Sequence, residues 1–150
     1  MNLDFSDDQK FHQEEARKFL EKENALLRNR TVLENQSYFD QELWSKIVDL
    51  GWTGIRIPEE FGGLGLGHLE LCVIAEELGR FLAPVPFSSS VYLFTEAIIK
   101  YGSEEMKKNL LPKLVSGDIV GTLAVTEDLF APSKENIELA YNSGKINGRK

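Results

Sequence analysis

Between Gly51 and Gly67 the chain carries six glycines and one proline, Pro58, a density of breakers that no regular helix accommodates. The stretch Trp52-Thr53-Gly54-Ile55-Arg56-Ile57 is therefore expected as a packed loop or short extended piece, with no long regular element from Gly51 to Gly67. Ordered loops of this length usually serve binding or packing. The segments on either side must build the core around it.

Before the loop, Ser6 followed three residues later by Gln9 reads as a capping box, and Phe11, Ala16, Phe19 and Leu20 approximate one helical face, giving a helix over Asp7 to Glu23. A polar stretch follows from Arg28 to Tyr38. The next helix, Gln41 to Leu50, places Leu43, Trp44, Ile47 and Leu50 on one side, and Gly51 stops it. After the loop, Leu69 to Leu82 is apolar on most of its circumference. Ser89 to Tyr101, beyond its opening serines, is interrupted only at Thr95, Glu96 and Lys100. Helices apolar nearly all round belong inside a core. Ser103 caps a further helix with Glu104 and Glu105 in its first turn and Lys107 and Lys108 behind them, an order that suits the helix dipole. Leu110, Leu111, Leu114 and Val115 supply its buried side, Pro112 implies a second short turn rather than one rod, and Gly117 ends the helical half.

From Ile119 to Thr126 the residues are small and β-branched, which favours a strand. Ile137 to Tyr141 and Lys145 to Lys150 read as two strands around a three-residue turn, Asn142-Ser143-Gly144. So small a sheet is marginal alone, and the sequence is expected to be cut inside a second domain, with 1–117 helical and 118–150 the incomplete start of a β-domain.

The formal charge of -7 offers no basic stripe, which argues against nucleic acid as a partner. No stretch approaches the roughly 20 apolar residues of a membrane span, and Met1 to Phe5 is no cationic leader, so a cytoplasmic protein is expected. The single cysteine, Cys72, has apolar neighbours and is expected as a buried structural thiol. His12 and His68 lack ligand-spaced companions, so no metal site is expected. Glu59-Glu60 and Glu76-Glu77 could share proton work as paired acids. The structural alternative is that Glu76 pairs with Arg80 four residues on, while Glu60 accepts backbone N–H bonds. Gly62, Gly63, Gly65 and Gly67 lack the strand-glycine-helix order and the Lys-Ser/Thr end of a phosphate loop.

The run Gly51-Trp52-Thr53-Gly54-Ile55-Arg56-Ile57-Pro58-Glu59-Glu60-Phe61-Gly62-Gly63-Leu64-Gly65, followed by Glu76-Glu77-Leu78-Gly79-Arg80, resembles the signature of the acyl-CoA dehydrogenase family. Gly102-Ser103-Glu104-Glu105-Met106-Lys107, Leu110 to Gly117 and Ala124-Val125-Thr126-Glu127 continue the likeness in the family's order. The resemblance implies a mainly α fold: an amino-terminal orthogonal helical bundle followed by the first strands of a β-barrel-like middle domain. In the family a carboxy-terminal four-helix bundle completes the enzyme and supplies the catalytic glutamate, which no residue here matches. It further implies FAD as cofactor, an acyl-CoA substrate, an electron acceptor protein, and assembly with family-like subunits.

By the same resemblance Phe94, Thr95 and Ile98 line part of the acyl pocket, the alternative being plain core. Main-chain groups of Leu123 and Val125 and the Thr126 hydroxyl would face the flavin, the alternative being an ordinary β-strand. A hydroxyl at the flavin's polar edge tunes hydride acceptance. Where the family continues with proline and then Gly-Ser-Asp, this chain has Asp128-Leu129-Phe130-Ala131-Pro132-Ser133-Lys134, and Ser133 takes the place of the usual serine after a one-residue shift. That departure supports a second expectation, a divergent flavin-free member acting as scaffold for a catalytic partner.

Overall fold

The computed structural model describes residues 4–127 and 137–150. Helix α1 runs Asp7–Lys22 from the expected capping box: Ser6 Oγ accepts the Gln9 N–H at 3.2 Å and Gln9 Oε1 accepts the Ser6 N–H at 3.0 Å. Ala16 and Leu20 carry its buried face.

The polar stretch after it contains a helix of its own, α2 (Ala25–Glu34), with only Ala25 fully buried. Charge replaces apolar packing here. The Arg28 guanidinium donates to the Glu23 carbonyl at 2.9 Å and pairs with Glu23, Asp40 and Glu42 at 3.0–3.1 Å, while Lys46 joins Glu23 at 2.6 Å. In α3 (Gln41–Asp49) the Asp40 carboxylate caps the Leu43 N–H, and Leu43, Trp44 and Ile47 are buried. Leu50, expected on the same face, is exposed, because the chain leaves the helix there and turns at Gly51 with φ +75°.

The glycine-rich loop contains only two 3-10 turns, Trp52–Gly54 and Glu59–Phe61, and folds back on itself. Leu64, Gly65 and Leu66 donate to the carbonyls of Gly54, Ile57 and Ile55 at 2.8–2.9 Å. Gly63 is required at the fold-back, since a Cβ there would overlap the Ile57 carbonyl. The loop joins two apolar clusters. Ile55 belongs to the one built from Leu20, Leu43, Ile47, Ile74 and Leu78, and Ile57 to the one built from Ile98, Leu111 and Leu114.

Helix α4 (His68–Arg80) packs against α1 and buries Glu77 completely. Arg17 holds that carboxylate with two hydrogen bonds, at 3.0 and 2.7 Å, and Arg80 Nε approaches at 3.2 Å. The helix is not buried all round: Leu69, Cys72 and Glu76 form an outward, exposed stripe at helical spacing. Cys72 is therefore exposed rather than a buried thiol. Glu76 pairs with Arg80 at 3.6 Å as expected, whereas Glu60 is exposed and its carboxylate caps no backbone N–H among the described residues.

Ser88–Phe94 is a π-helix that runs straight into α5 (Thr95–Tyr101). Helix α6 (Glu104–Val115) starts at the Ser103 cap and continues through Pro112 without the expected break. Leu111 and Leu114, at 0% and 2% exposure, anchor the turn on both sides of the proline, so packing outweighs the missing N–H. Gly117, with φ +73°, ends the helical half against Val48.

Residues 119–126 enter no ladder among the described residues, in contrast to the expected strand. A strand is defined by its partner, and composition alone supplies none. The hairpin is shorter than expected: β1 (Ala140–Asn142) pairs antiparallel with β2 (Lys145–Asn147), Asn142 opposite Lys145. Its turn has two residues, Ser143 and Gly144, both at positive φ (50° and 79°), the geometry that matches strand twist in tight hairpins.

Arg17 holds the Glu77 carboxyl below its usual pKa of 4.5, with the charge of Arg80 adding to the effect. The native state therefore binds the proton less readily than the unfolded chain, so this stabilisation is complete above pH 4.5 and declines as pH falls below it. Glu77→Gln sets buried amide hydrogens against guanidinium donors and should lower unfolding free energy by about 2 kcal/mol at neutral pH, with a flatter acid limb than the parent. Urea titrations across pH 3–7 measure both effects; equal stability and an unchanged acid limb would contradict the role given to Glu77.

Candidate functional site

The helical half meets the following segment at the π-helix. Ile119 packs into the second apolar cluster beside Phe94. Gly121 is buried, and its N–H donates to Ser90 Oγ at 3.2 Å. From Thr122 onward the side chains turn outward: Leu123 and Val125 are about two-fifths exposed, at 43% and 39%, and Thr126 is exposed with no hydrogen-bond partner for its hydroxyl among the described residues.

Glu127 closes this row. Its carboxylate accepts the backbone N–H groups of Glu138 and Leu139 at 2.6 and 3.0 Å and pairs with Lys150 at 2.7 Å. Lys150 Nζ also donates to the Val125 carbonyl at 3.3 Å, so that carbonyl already has a partner. The hydrogen bond from Lys150, with those from the two backbone amides, pulls the Glu127 carboxyl down to about 2.

The sequence-derived residues fall into three groups. Leu123, Val125 and Thr126 lie together on one exposed segment. Thr95 and Ile98 are buried at 1% and 6% exposure, and the Thr95 hydroxyl donates inward to the Ser90 carbonyl at 2.8 Å. Phe94 is partly buried between the second cluster and Gly121. Ser133 lies outside the described residues. Sequence reading missed Ser90, Gly121, Glu127 and Lys150. A lone glycine inside a strand-like run is the available signal for Gly121, since it marks close backbone approach.

A cleft of about 170 Å³ opens beside the start of the π-helix, lined by Leu78, Leu82, Val85, Phe87 and Tyr92. Behind α5, Arg56 Nε pairs with Glu96 at 2.7 Å and His68 approaches the same oxygen at 3.4 Å, tying the glycine-rich loop to α5. Among the described residues no group of three or more His, Cys, Asp or Glu is arranged to hold a metal, and no helix is long and apolar enough to cross a membrane.

Residues 6–118 match the family model described as the acyl-CoA dehydrogenase N-terminal domain. The chain belongs to the acyl-CoA dehydrogenase family. It is 35% identical over 130 residues to mitochondrial isovaleryl-CoA dehydrogenase of Solanum tuberosum, an alignment covering 84% of this chain and 31% of the relative. Among solved structures it is similar to a chain of the ChsE4–ChsE5 complex of Mycobacterium tuberculosis, at 29% identity and a TM-score of 0.78 over 86% of this chain and 35% of that one. An acyl-CoA dehydrogenase of Bacillus anthracis complexed with FAD matches at 27% identity and a TM-score of 0.68, covering 85% of this chain and 22% of that one. The chain thus spans about a third or less of the length of these relatives.

With Glu127 at about 2, its contacts should survive mild acid. The Leu139 amide proton shift should titrate with a midpoint near 2 rather than near the ordinary 4.5, and Glu127→Gln should abolish the titration. A midpoint near 4.5 in NMR spectra would show the carboxylate to be unpaired.

Proposed function

We propose that this chain supplies the helical domain (1–117) and the opening of the middle β-domain (118–150) of an FAD-dependent acyl-CoA dehydrogenase. The reaction removes one hydrogen each from Cα and Cβ of an acyl-CoA thioester. Bound at this site, FAD would supply the acceptor for the hydride from Cβ, while the proton from Cα would go to a base outside these residues. The carrying observation is the exposed row Thr122 to Thr126 set against the helical domain, with the Thr126 hydroxyl unpartnered among the described residues, in a chain similar to an FAD-bound dehydrogenase.

The residues fit a flavin on their own chemistry. Backbone groups of 122–126 that pair with no neighbouring strand among the described residues can serve a heteroaromatic edge, and Thr126 can donate one hydrogen bond to it. The main-chain groups of Leu123 and Val125 act with Thr126, the Val125 carbonyl after release from Lys150, and Ser133 follows on the chain. The helix carrying Phe94, Thr95 and Ile98 forms one wall of the acyl site, and the catalytic base comes from outside these residues. By themselves the 150 residues should bind FAD weakly and oxidise no thioester. The reading also includes the cytoplasm as compartment, an electron acceptor protein as redox partner, and assembly with family-like subunits.

A second reading, a flavin-free scaffold for a catalytic partner, has two specific observations in its favour. Asp128 to Lys134 departs from the family's Gly-Ser-Asp pattern, and one similar structure is a complex of two differently named chains.

The complete protein should purify with flavin. Thr126→Val keeps the side chain's shape and removes one hydroxyl, so it should slow flavin reduction by acyl-CoA about tenfold while leaving thermal stability nearly unchanged. Stopped-flow reduction under anaerobic conditions measures this. Unchanged rates would remove Thr126 from the site, and a protein that could not be reconstituted with FAD would favour the scaffold.

A further inference from the structure

We propose that Ser90 and Phe94 form a seat for Gly121 that fixes the flavin-facing segment 122–126 against the helical domain, a positioning role beyond the acyl wall. The proposal rests on the flavin reading of Leu123 to Thr126. Its geometric part, the contact of Gly121 with Ser90 and Phe94, stands without it.

Three observations carry it. The Gly121 N–H has its bond to Ser90 Oγ, at 3.2 Å, in a buried position. A Cβ at Gly121 would overlap the ring of Phe94 and come within 2.7 Å of its Cβ, so no rotation of the ring alone could make room. Ser90 and Phe94 are both in the π-helix, and i→i+5 bonding brings residues four apart closer to one direction than an α-helix does. Both side chains consequently reach the same glycine.

The seat itself is locked from below. The Ser90 carbonyl accepts both the backbone N–H and the hydroxyl of Thr95, which fixes the π-turn, and Phe94 packs on the cluster of Ile57, Ile98, Leu111 and Leu114. Thr95 thus acts through Ser90. The seated glycine is the last buried residue before the exposed row, so its placement decides where Leu123, Val125 and Thr126 begin. π-Turns inserted in helices are frequent at functional sites.

The test uses the complete protein and reads FAD affinity by equilibrium titration. Gly121→Ala and Phe94→Ala should each weaken FAD binding about tenfold, and the double variant should be no weaker than the worse single, since both disturb one contact. A change confined to acyl-CoA affinity in Phe94→Ala would make Phe94 a pocket residue and overturn the seat. Singles that multiply in the double would overturn it as well. Ser90→Ala provides a reading that needs no flavin: the Gly121 amide should exchange with deuterium at least about tenfold faster while amides of α6 keep their rates. Unchanged Gly121 exchange would sink the proposal. If the parent protein failed to take up FAD but Ser90→Ala still released the Gly121 amide, the flavin reading would fall and the seat would stand.

Discussion

A carboxylate with no exposed surface, Glu77, sits between Arg17 of α1 and Arg80 of its own helix. Without Arg17 that buried charge would keep only the half-exposed Arg80 and lose both Arg17 hydrogen bonds, a strongly destabilising change, so the burial of α4 depends on α1 bringing Arg17 alongside. Once α1 and α4 are joined, Leu20, Ile74 and Leu78 share one cluster with Leu43 and Ile47. The glycine-rich loop then has a fixed course, because Ile55 enters that cluster while Ile57 enters the next. Thr53 adds a bond to the Val115 carbonyl at 2.9 Å, and Arg56 reaches Glu96 on α5. The chain of contacts runs from one buried ion pair to the π-helix.

What the helical half presents to the following segment is a set of small, directed features rather than a broad apolar face. Ser90 offers an acceptor, Phe94 a surface, and Thr95 holds both in place through the Ser90 carbonyl. Glu127 and Lys150 hold the far end of the row from the hairpin side. Between these two attachments the residues of family interest are exposed and enter no ladder among the described residues. An exposed, unladdered row between two fixed ends is suited to receiving another group, whether cofactor or further strand.

Local rules made much of this legible in the sequence. Ser6 and Ser103 caps, the Gly51 stop and the breaker density up to Gly67 each follow from the chemistry of residues close together in sequence, and each holds in the structure. Features set by distant contacts were not legible. Helix α2 shows little apolar periodicity because Arg28 holds it by charge, Pro112 stays helical because Leu111 and Leu114 are packed, and Cys72 faces out because its helix lies at the surface. The candidate site shows the same division. Leu123, Val125 and Thr126 do lie together, yet the contacts that place them, Ser90 with Gly121 and Glu127 with Lys150, span 31 and 23 residues of sequence (150 − 127 = 23) and left no periodic trace.

Hydrogen–deuterium exchange of the complete protein, followed with and without FAD, reads the scaffold and the site together. Amides of α1 and α4 should open as one cooperative unit at the same free energy in both conditions, as expected for helices joined through Glu77. Thr122 to Thr126 should exchange freely without FAD and become protected when it is added. Protection of that row unchanged by FAD, or α1 opening well before α4, would contradict the dependence of the site on this scaffold.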